Sequence, residues 1–180
     1  MMNLFKSFVC CIFAVTLLGC GAAHVNTKIH SENLKNYKNV YLSKVNVYSL
    51  ESSAKDNAKL QAKLKNWQRF SKHQLTQTLQ KNGYKISQSM DTSNPQLLAD
   101  LDINVKYGNR ALRWLVGEFG AGKGRVHSIL KLKDARTKTV VYHIESESDL
   151  RVGGAGGDME KVLKNNIYKL MAEYKKQHNL

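Results

Sequence analysis

The sequence predicts an α+β two-layer sandwich, with about five mainly antiparallel strands and two helices on one face, in the order β-α-β-β-β-β-α. Three patterns carry that reading. Leu97 to Tyr107 alternates, with Leu97, Ala99, Leu101, Ile103, Val105 and Tyr107 on one side and Leu98, Asp100, Asp102, Asn104 and Lys106 on the other. Residues 54–81 and 158–176 instead place apolar side chains at steps of three and four. Residues 125–133 and 139–150 flank Asp134-Ala135-Arg136-Thr137-Lys138 in the manner of a hairpin.

The chain begins with the parts of a secretory signal. A basic n-region ends in Lys6, an apolar run follows from Phe8 to Thr16, and a cleavage site comes next. That run is shorter than the roughly 20 residues a membrane span needs, so an uncleaved anchor beside a chance cysteine is the weaker alternative. Leu17-Leu18-Gly19-Cys20 resembles the lipobox of bacterial lipoproteins. The resemblance implies a signal peptide over 1–19 and a diacylglyceryl thioether on Cys20, joined in many such lipoproteins by an N-acyl chain. Each buried methylene contributes about 0.8 kcal/mol and stable anchoring takes more than one chain, a condition this modification meets. Gly21 stands where an Asp retains Gram-negative lipoproteins in the inner membrane, so the resemblance implies the outer membrane, facing the periplasm. Residues 20–36 are polar and without apolar period. They are expected to form a flexible tether, free or lying along the surface of a single domain over 37–177.

A chain of 180 residues suits one core. Cys10 and Cys11 fall inside the signal and the sulfur of Cys20 is acylated, which excludes disulfides and thiol chemistry from the domain. The formal charge of +14 invites a nucleic-acid reading. The address argues against it, since an exported lipoprotein rarely meets nucleic acid. Anionic lipid headgroups, lipopolysaccharide phosphates or an acidic envelope protein are the expected counter-charges, and a merely solvated basic surface is the plainest account.

Taken in order, Val40 to Leu42 and Val45 to Tyr48 read as the first strand. The helix over 54–81 carries Leu60, Leu64, Trp67, Ser71, Leu75 and Leu79 on one side and stops at Gly83. It bears Lys59, Lys63, Lys65, Arg69, Lys72 and Lys81, and no acid occurs between Asp56 and Asp91. Its outward face is therefore strongly positive and lacks i to i+4 acid partners. Tyr84 to Met90 is a second strand, which the helical crossover allows to lie parallel to the first, and Asp91 to Pro95 is a turn. In the hairpin, Val126, Leu130 and Leu132 share an inner face with Val140, Tyr142 and Ile144. Arg125, Lys131 and Lys133 then lie near Glu145, Glu147 and Asp149 on the outer face. Asp158 caps a last helix whose stripe runs Met159, Val162, Leu163, Ile167, Leu170, Met171 and Tyr174.

Candidate chemistry is sparse. Asp100 and Asp102 lie side by side without a cleft, and His127, His143 and Glu145 lack a well-placed set of metal ligands. Gly117 to Gly124 reads G-E-F-G-A-G-K-G, matching the P-loop until Gly124 replaces the Ser or Thr that holds magnesium, and a strand follows instead of a helix. These glycines are expected to allow positive φ angles at a turn. Arg151 with Gly153, Gly154, Gly156 and Gly157 precedes a helix and forms a candidate anion turn, or simply a connector. Arg110, Arg113, Trp114 and Phe119 make an apolar and basic connector suited to a partner or membrane, or to covering one end of the sheet.

Arg110, Arg113, the run 117–124, the turn 134–138 and Gly153-Gly154 before the last helix resemble bacterial lipoproteins of the domain of unknown function 4410 family. The usual turn there is closer to Asp-Ala-x-Thr-Gly, and Lys138 replaces its glycine. The resemblance covers less than half of the chain. It implies an envelope lipoprotein and supplies no reaction, cofactor or catalytic residue.

The expected function is thus a non-enzymatic accessory or scaffold lipoprotein. Cys20 is its anchor, and Lys59, Lys63, Arg69 and the Arg110–Phe119 connector are its contact surfaces. The alternative is a binding module for an anionic envelope glycan or lipid at the 153–157 turn. Neither reading requires a cofactor or metal beyond the acyl chains.

Overall fold

The computed structural model describes residues 23–50, 57–107, 124–150 and 158–178. Among them a sheet of six strands forms one layer and two helices form the other. The strands are β1 (His24–His30), β2 (Asn39–Tyr48), β3 (Lys85–Ser87), β4 (Gln96–Lys106), β5 (Gly124–Asp134) and β6 (Val140–Leu150). The helices are α1 (Ala58–Lys81) and α2 (Met159–His178), and a short 3-10 helix spans Glu32–Asn36. Strand order across the sheet is β1-β6-β5-β4-β2-β3. β1–β6, β6–β5 and β5–β4 are antiparallel, while β2 runs parallel to both β4 and β3. The α+β sandwich is as expected, with one strand more.

The additional strand corrects the reading of 20–36 as a tether. His24 to His30 pairs along β6, from His24 opposite Glu147 to His30 opposite Tyr142, and Leu34 behind it is buried. The strand is an edge held by backbone pairing, with one outer ladder free, so its side chains need little apolar character.

The alternation in β4 fixes the core. Leu97, Ala99, Leu101, Ile103 and Val105 are wholly buried, and β5 and β6 add Val126, Leu130, Leu132, Tyr142 and Ile144. Full burial of a Leu, Ile or Val side chain stabilises by about 1.5–3 kcal/mol, so shifting β4 by one residue would forfeit most of this layer. Leu98, on the opposite face, is also nearly covered. A register shift between Leu132 and Lys133 pairs Lys133 with Val140, so Val141 joins the core and Val140 is only half-buried. That corrects the expected inner position of Val140.

Helix α1 begins at Ala58, where the Asn57 side chain accepts from the Leu60 N–H, and ends before Gly83 at φ 83°. It packs on β2 and β3, α2 packs on β5 and β6, and the helices touch each other. Phe70 meets Tyr168 edge-on at that seam. In α2 the expected stripe is buried at Met159, Leu163, Ile167, Leu170, Met171 and Tyr174. Among the described residues, no helix is long and apolar enough to cross a membrane.

Candidate functional site

The most distinctive surface is the outer face of α1. Leu64, Trp67, Ser71, Leu75, Thr78 and Leu79 are buried, and the 3.6-residue period then turns Lys59, Lys63, Lys65, Arg69, Lys72 and His73 outward. All six are exposed. Among the described residues none of them forms an ion pair, and Arg69 reaches only the Asn66 carboxamide, at 3.5 Å. From Lys59 to His73 the row runs about 21 Å along the helix at 1.5 Å per residue. Beside Lys65 a groove of about 540 Å³ separates α1 from the end of β2, where Gln68 Nε2 donates to the Val45 carbonyl at 2.6 Å.

The outer face of the sheet has the opposite character, because most of its charges are paired. Lys133 Nζ lies 2.6 Å from Asp100 and Lys44 Nζ 2.7 Å from Asp102. Each aspartate has its own lysine, so the two do not act as an acid–base pair. The hydrogen bond to Asp102 raises the Lys44 pKa above the usual lysine value. Arg125 spans Glu147 and Asp149, both at 3.0 Å. His143 and His127 approach Glu145 at 3.0 and 4.0 Å. Burial, followed by the Lys131 charge, lowers the His143 pKa, which favours neutral imidazole. Among the described residues, no group of three His, Cys, Asp or Glu side chains is arranged to hold a metal.

Cys20, Arg110, Arg113, Trp114, Phe119, Arg151, Gly153, Gly154, Gly156 and Gly157 lie outside the described residues. The flanks of their segments do converge. Lys106 pairs with Arg125, Gly124 with Leu150, Tyr48 with Asn104, and β1 begins opposite Glu147. The polypeptide therefore leaves and re-enters the described fold at one end of the sheet. Asp158 caps α2 as expected, accepting from the N–H groups of Glu160 at 2.9 Å and Lys161 at 3.3 Å. Those N–H groups are already used by a carboxylate, which weighs against an anion at that helix start.

Gly124 is extended and wholly inside the sheet, not at a positive-φ turn as expected. A Cβ there would lie 2.5 Å from Met159 Cε and 3.0 Å from the Tyr107 carbonyl oxygen. Close packing by Met159, the Tyr107 carbonyl and Leu150, rather than turn geometry, favours glycine here.

Two polar arrangements were hidden from sequence reasoning. Asn166, within the apolar stripe of α2, is fully buried. It accepts from Ser128 Oγ at 2.6 Å and donates to Ser148 Oγ at 2.9 Å and the Val126 carbonyl at 3.4 Å. Tyr37 Oη donates to Asp134 Oδ2 at 2.7 Å. An asparagine breaking an apolar stripe is a usable signal for the first, whereas nothing in the sequence pairs the second.

None of the curated proteins matches the chain. Among solved structures, it is similar to the PelC dodecamer from Paraburkholderia phytofirmans, at 12% identity and TM-score 0.45, covering 84% of this chain and 96% of that one. It is also similar to a DUF4136 family protein (BT2437) from Bacteroides thetaiotaomicron, at 11% identity and TM-score 0.43, covering 84% and 95%. Lipoprotein GNA1162 from Neisseria meningitidis is a further likeness, at 11% identity and TM-score 0.30, covering 74% and 95%. Likenesses this distant carry no argument about function. One family model, described as BREX system ATP-binding protein BrxC/D, matches residues 83–179. Since that match spans more than half of the chain, the protein belongs to the BREX system ATP-binding protein BrxC/D family.

Proposed function

We propose that this protein is a non-enzymatic envelope lipoprotein, anchored through acylated Cys20, that docks an anionic partner on the exposed face of α1. The carrying observation is the row Lys59, Lys63, Lys65, Arg69 and Lys72, exposed and without ion pairs among the described residues. The signal-like N-terminus, the Leu17–Cys20 pattern and the resemblance to domain of unknown function 4410 lipoproteins support the address, at the outer membrane facing the periplasm.

The ordered β1 strand sharpens this reading. Three residues separate Cys20 from His24, and the four steps reach at most about 14 Å, so the acylated domain sits against its bilayer. The sheet end where β1 begins then faces the lipid, with the Arg110–Phe119 connector attached there. Helix α1 starts at that end and leads away. Headgroup charge decays over about 8 Å at physiological ionic strength, far less than the helix length. Lipid therefore neutralises only the first turns, near Lys59 and Lys63. Arg69 and Lys72 are left for an acidic protein.

The family description names ATP binding, and the residues of this chain do not fit it. The P-loop-like run 117–124 ends in Gly124, which opens β5 instead of a helix and packs tightly against Met159, the Tyr107 carbonyl and Leu150. No nucleotide step is assigned. Binding of an anionic glycan at Arg151 and Gly153–Gly157 ranks second, because Asp158 already caps the adjoining helix.

Photocrosslinking in cells from positions 63, 69 and 72, compared with positions on the charge-paired face of β5, tests the proposal. One salt-sensitive partner captured from α1, and lost in Arg69→Glu/Lys72→Glu, supports it. Equal capture from both faces overturns it.

A further inference from the structure

At the end of the sheet opposite the proposed anchor, the last turn of α2 grips β1 at two points. Gln177 Nε2 donates to Thr27 Oγ1 at 2.6 Å, while Tyr142 Oη donates to Gln177 Oε1 at 3.0 Å. The His178 ring stacks on His30, the last residue of β1, with centroids 4.9 Å apart, and on Tyr174 at 4.1 Å. Tyr142 meets both histidines edge-on. We propose that this turn is an acid-released latch: a proton taken up by His178 loosens the grip on His30 and Thr27, and β1 comes away from β6.

The chemistry of His178 sets the direction. Nδ1 lies 2.6 Å from the Tyr174 carbonyl oxygen, which can only accept, so Nδ1 holds the proton of the neutral ring. Nε2 is shielded from solvent and has no hydrogen-bond partner among the described residues. A second proton creates a buried cationic donor without an acceptor, beside another imidazole. Stacking on Tyr174 favours a cation, but one such contact does not offset an unpaired buried charge. Burial lowers the His178 pKa, the Tyr174 carbonyl offsets part of this, and the His30 charge adds to it. Such a histidine stabilises the closed latch fully above its unfolded value of 6.5, and the contribution is lost as pH falls from there through the folded pKa.

The surrounding groups do not rescue the cation. Glu173 accepts from Gln177 and lies 4.0 Å from Lys176. Glu32, Lys35 and Lys38 line the adjoining cavity, and Glu32 forms no ion pair among the described residues. The phenols of Tyr37, Tyr84, Tyr142 and Tyr174 all have raised pKa values and stay neutral. That cavity, of about 680 Å³, lies where the 3-10 helix, the turn after α1 and the last turn of α2 meet. A small movement of the turn therefore admits water to Nε2.

Release of β1 changes the reach of the domain. With β1 free, the eleven steps from Cys20 to Ser31 extend to at most about 40 Å, so acid lifts the domain and its α1 face off the bilayer. Only this gain in reach rests on the proposed anchor; the latch itself lies within the fold.

Amide hydrogen exchange of the full chain in detergent micelles, corrected for the intrinsic rate, tests the latch. Between about pH 7.5 and about pH 5.5, protection of residues 25–30 is expected to fall at least about fivefold relative to that of β4. His178→Phe, which keeps a ring in the stack and removes the titrating nitrogen, is expected to abolish that loss. Carbon-13 ring signals of His178 in the parent should titrate below about 6.5, a readout that needs no variant. The same loss is expected in Cys20→Ser, and a latch that needs the acyl chains overturns the inference. So does protection that ignores pH, a loss shared equally by β4, the same loss in His178→Phe, or a His178 that titrates at or above the free value.

Discussion

Tyr37 and Asp134, 97 residues apart, share a 2.7 Å hydrogen bond that ties the segment before β2 to the β5–β6 turn. The same carboxylate accepts from Thr137 N, Thr137 Oγ1 and Arg136 N. The Thr137 N–H first, and then the Tyr37 phenol, hold the Asp134 pKa at about 2. The Tyr37 phenol is pushed up to about 12 by burial and then by this bond.

A carboxyl whose folded pKa lies below its unfolded value contributes stability that is complete above about pH 4 and fades as pH falls toward 2. Tyr37→Phe is expected to lower stability by about 1 kcal/mol at neutral pH and to raise the Asp134 pKa. A carboxyl NMR titration beside thermal melts checks both. An unchanged Asp134 titration would show that the phenol does not stabilise the anion.

Lys138 sits at φ 62°, a left-handed conformation that costs a non-glycine residue roughly 1–2 kcal/mol. Lys138→Gly, which restores the glycine usual in the resembling turn, is expected to stabilise by about 0.5–1 kcal/mol after the greater unfolded-chain entropy of glycine is counted. Calorimetric melting should rise by a few degrees, and a fall would mean that the turn relies on the Lys138 side chain.

Asn166 joins Ser128, Ser148 and the Val126 carbonyl inside the core. Asn166→Ala leaves buried hydroxyls without partners as well as a void, an expected loss of about 3 kcal/mol. Asn166→Leu combined with Ser128→Ala and Ser148→Ala should recover most of it, because the unmatched polar groups are then gone. Urea unfolding of both variants measures the difference.

Gly124→Ser separates packing from nucleotide binding. The new Cβ meets Met159, the Tyr107 carbonyl and Leu150, so an expected 1–3 kcal/mol of overpacking follows, about the range for such insertions. Neither parent nor variant should bind magnesium–ATP saturably in calorimetric titrations. Binding that the new hydroxyl strengthens would establish a working phosphate loop.

What the sequence disclosed follows physical lines. The alternation of β4 and the apolar stripe of α2 were legible because burial on one face imposes a period on composition. β1 was not, because His24, Asn26 and Lys28 alternate with only Val25, Thr27 and Ile29, and the ladder with β6 is made by backbone atoms that every residue carries. The cationic face of α1 was legible from an absence of acids within one element. The cavity gathers residues from three distant segments, 30–38, 82–84 and 177–178, a convergence that only tertiary structure reveals.

The central claim is that this basic domain works from a lipid anchor at Cys20. Metabolic labelling with a palmitate analogue, followed by membrane fractionation of the parent and of Cys20→Ser, tests it directly. The account predicts labelled, membrane-bound parent and an unlabelled variant that leaves the membrane fraction. A parent that takes up no label, or stays in the cytoplasm, contradicts it.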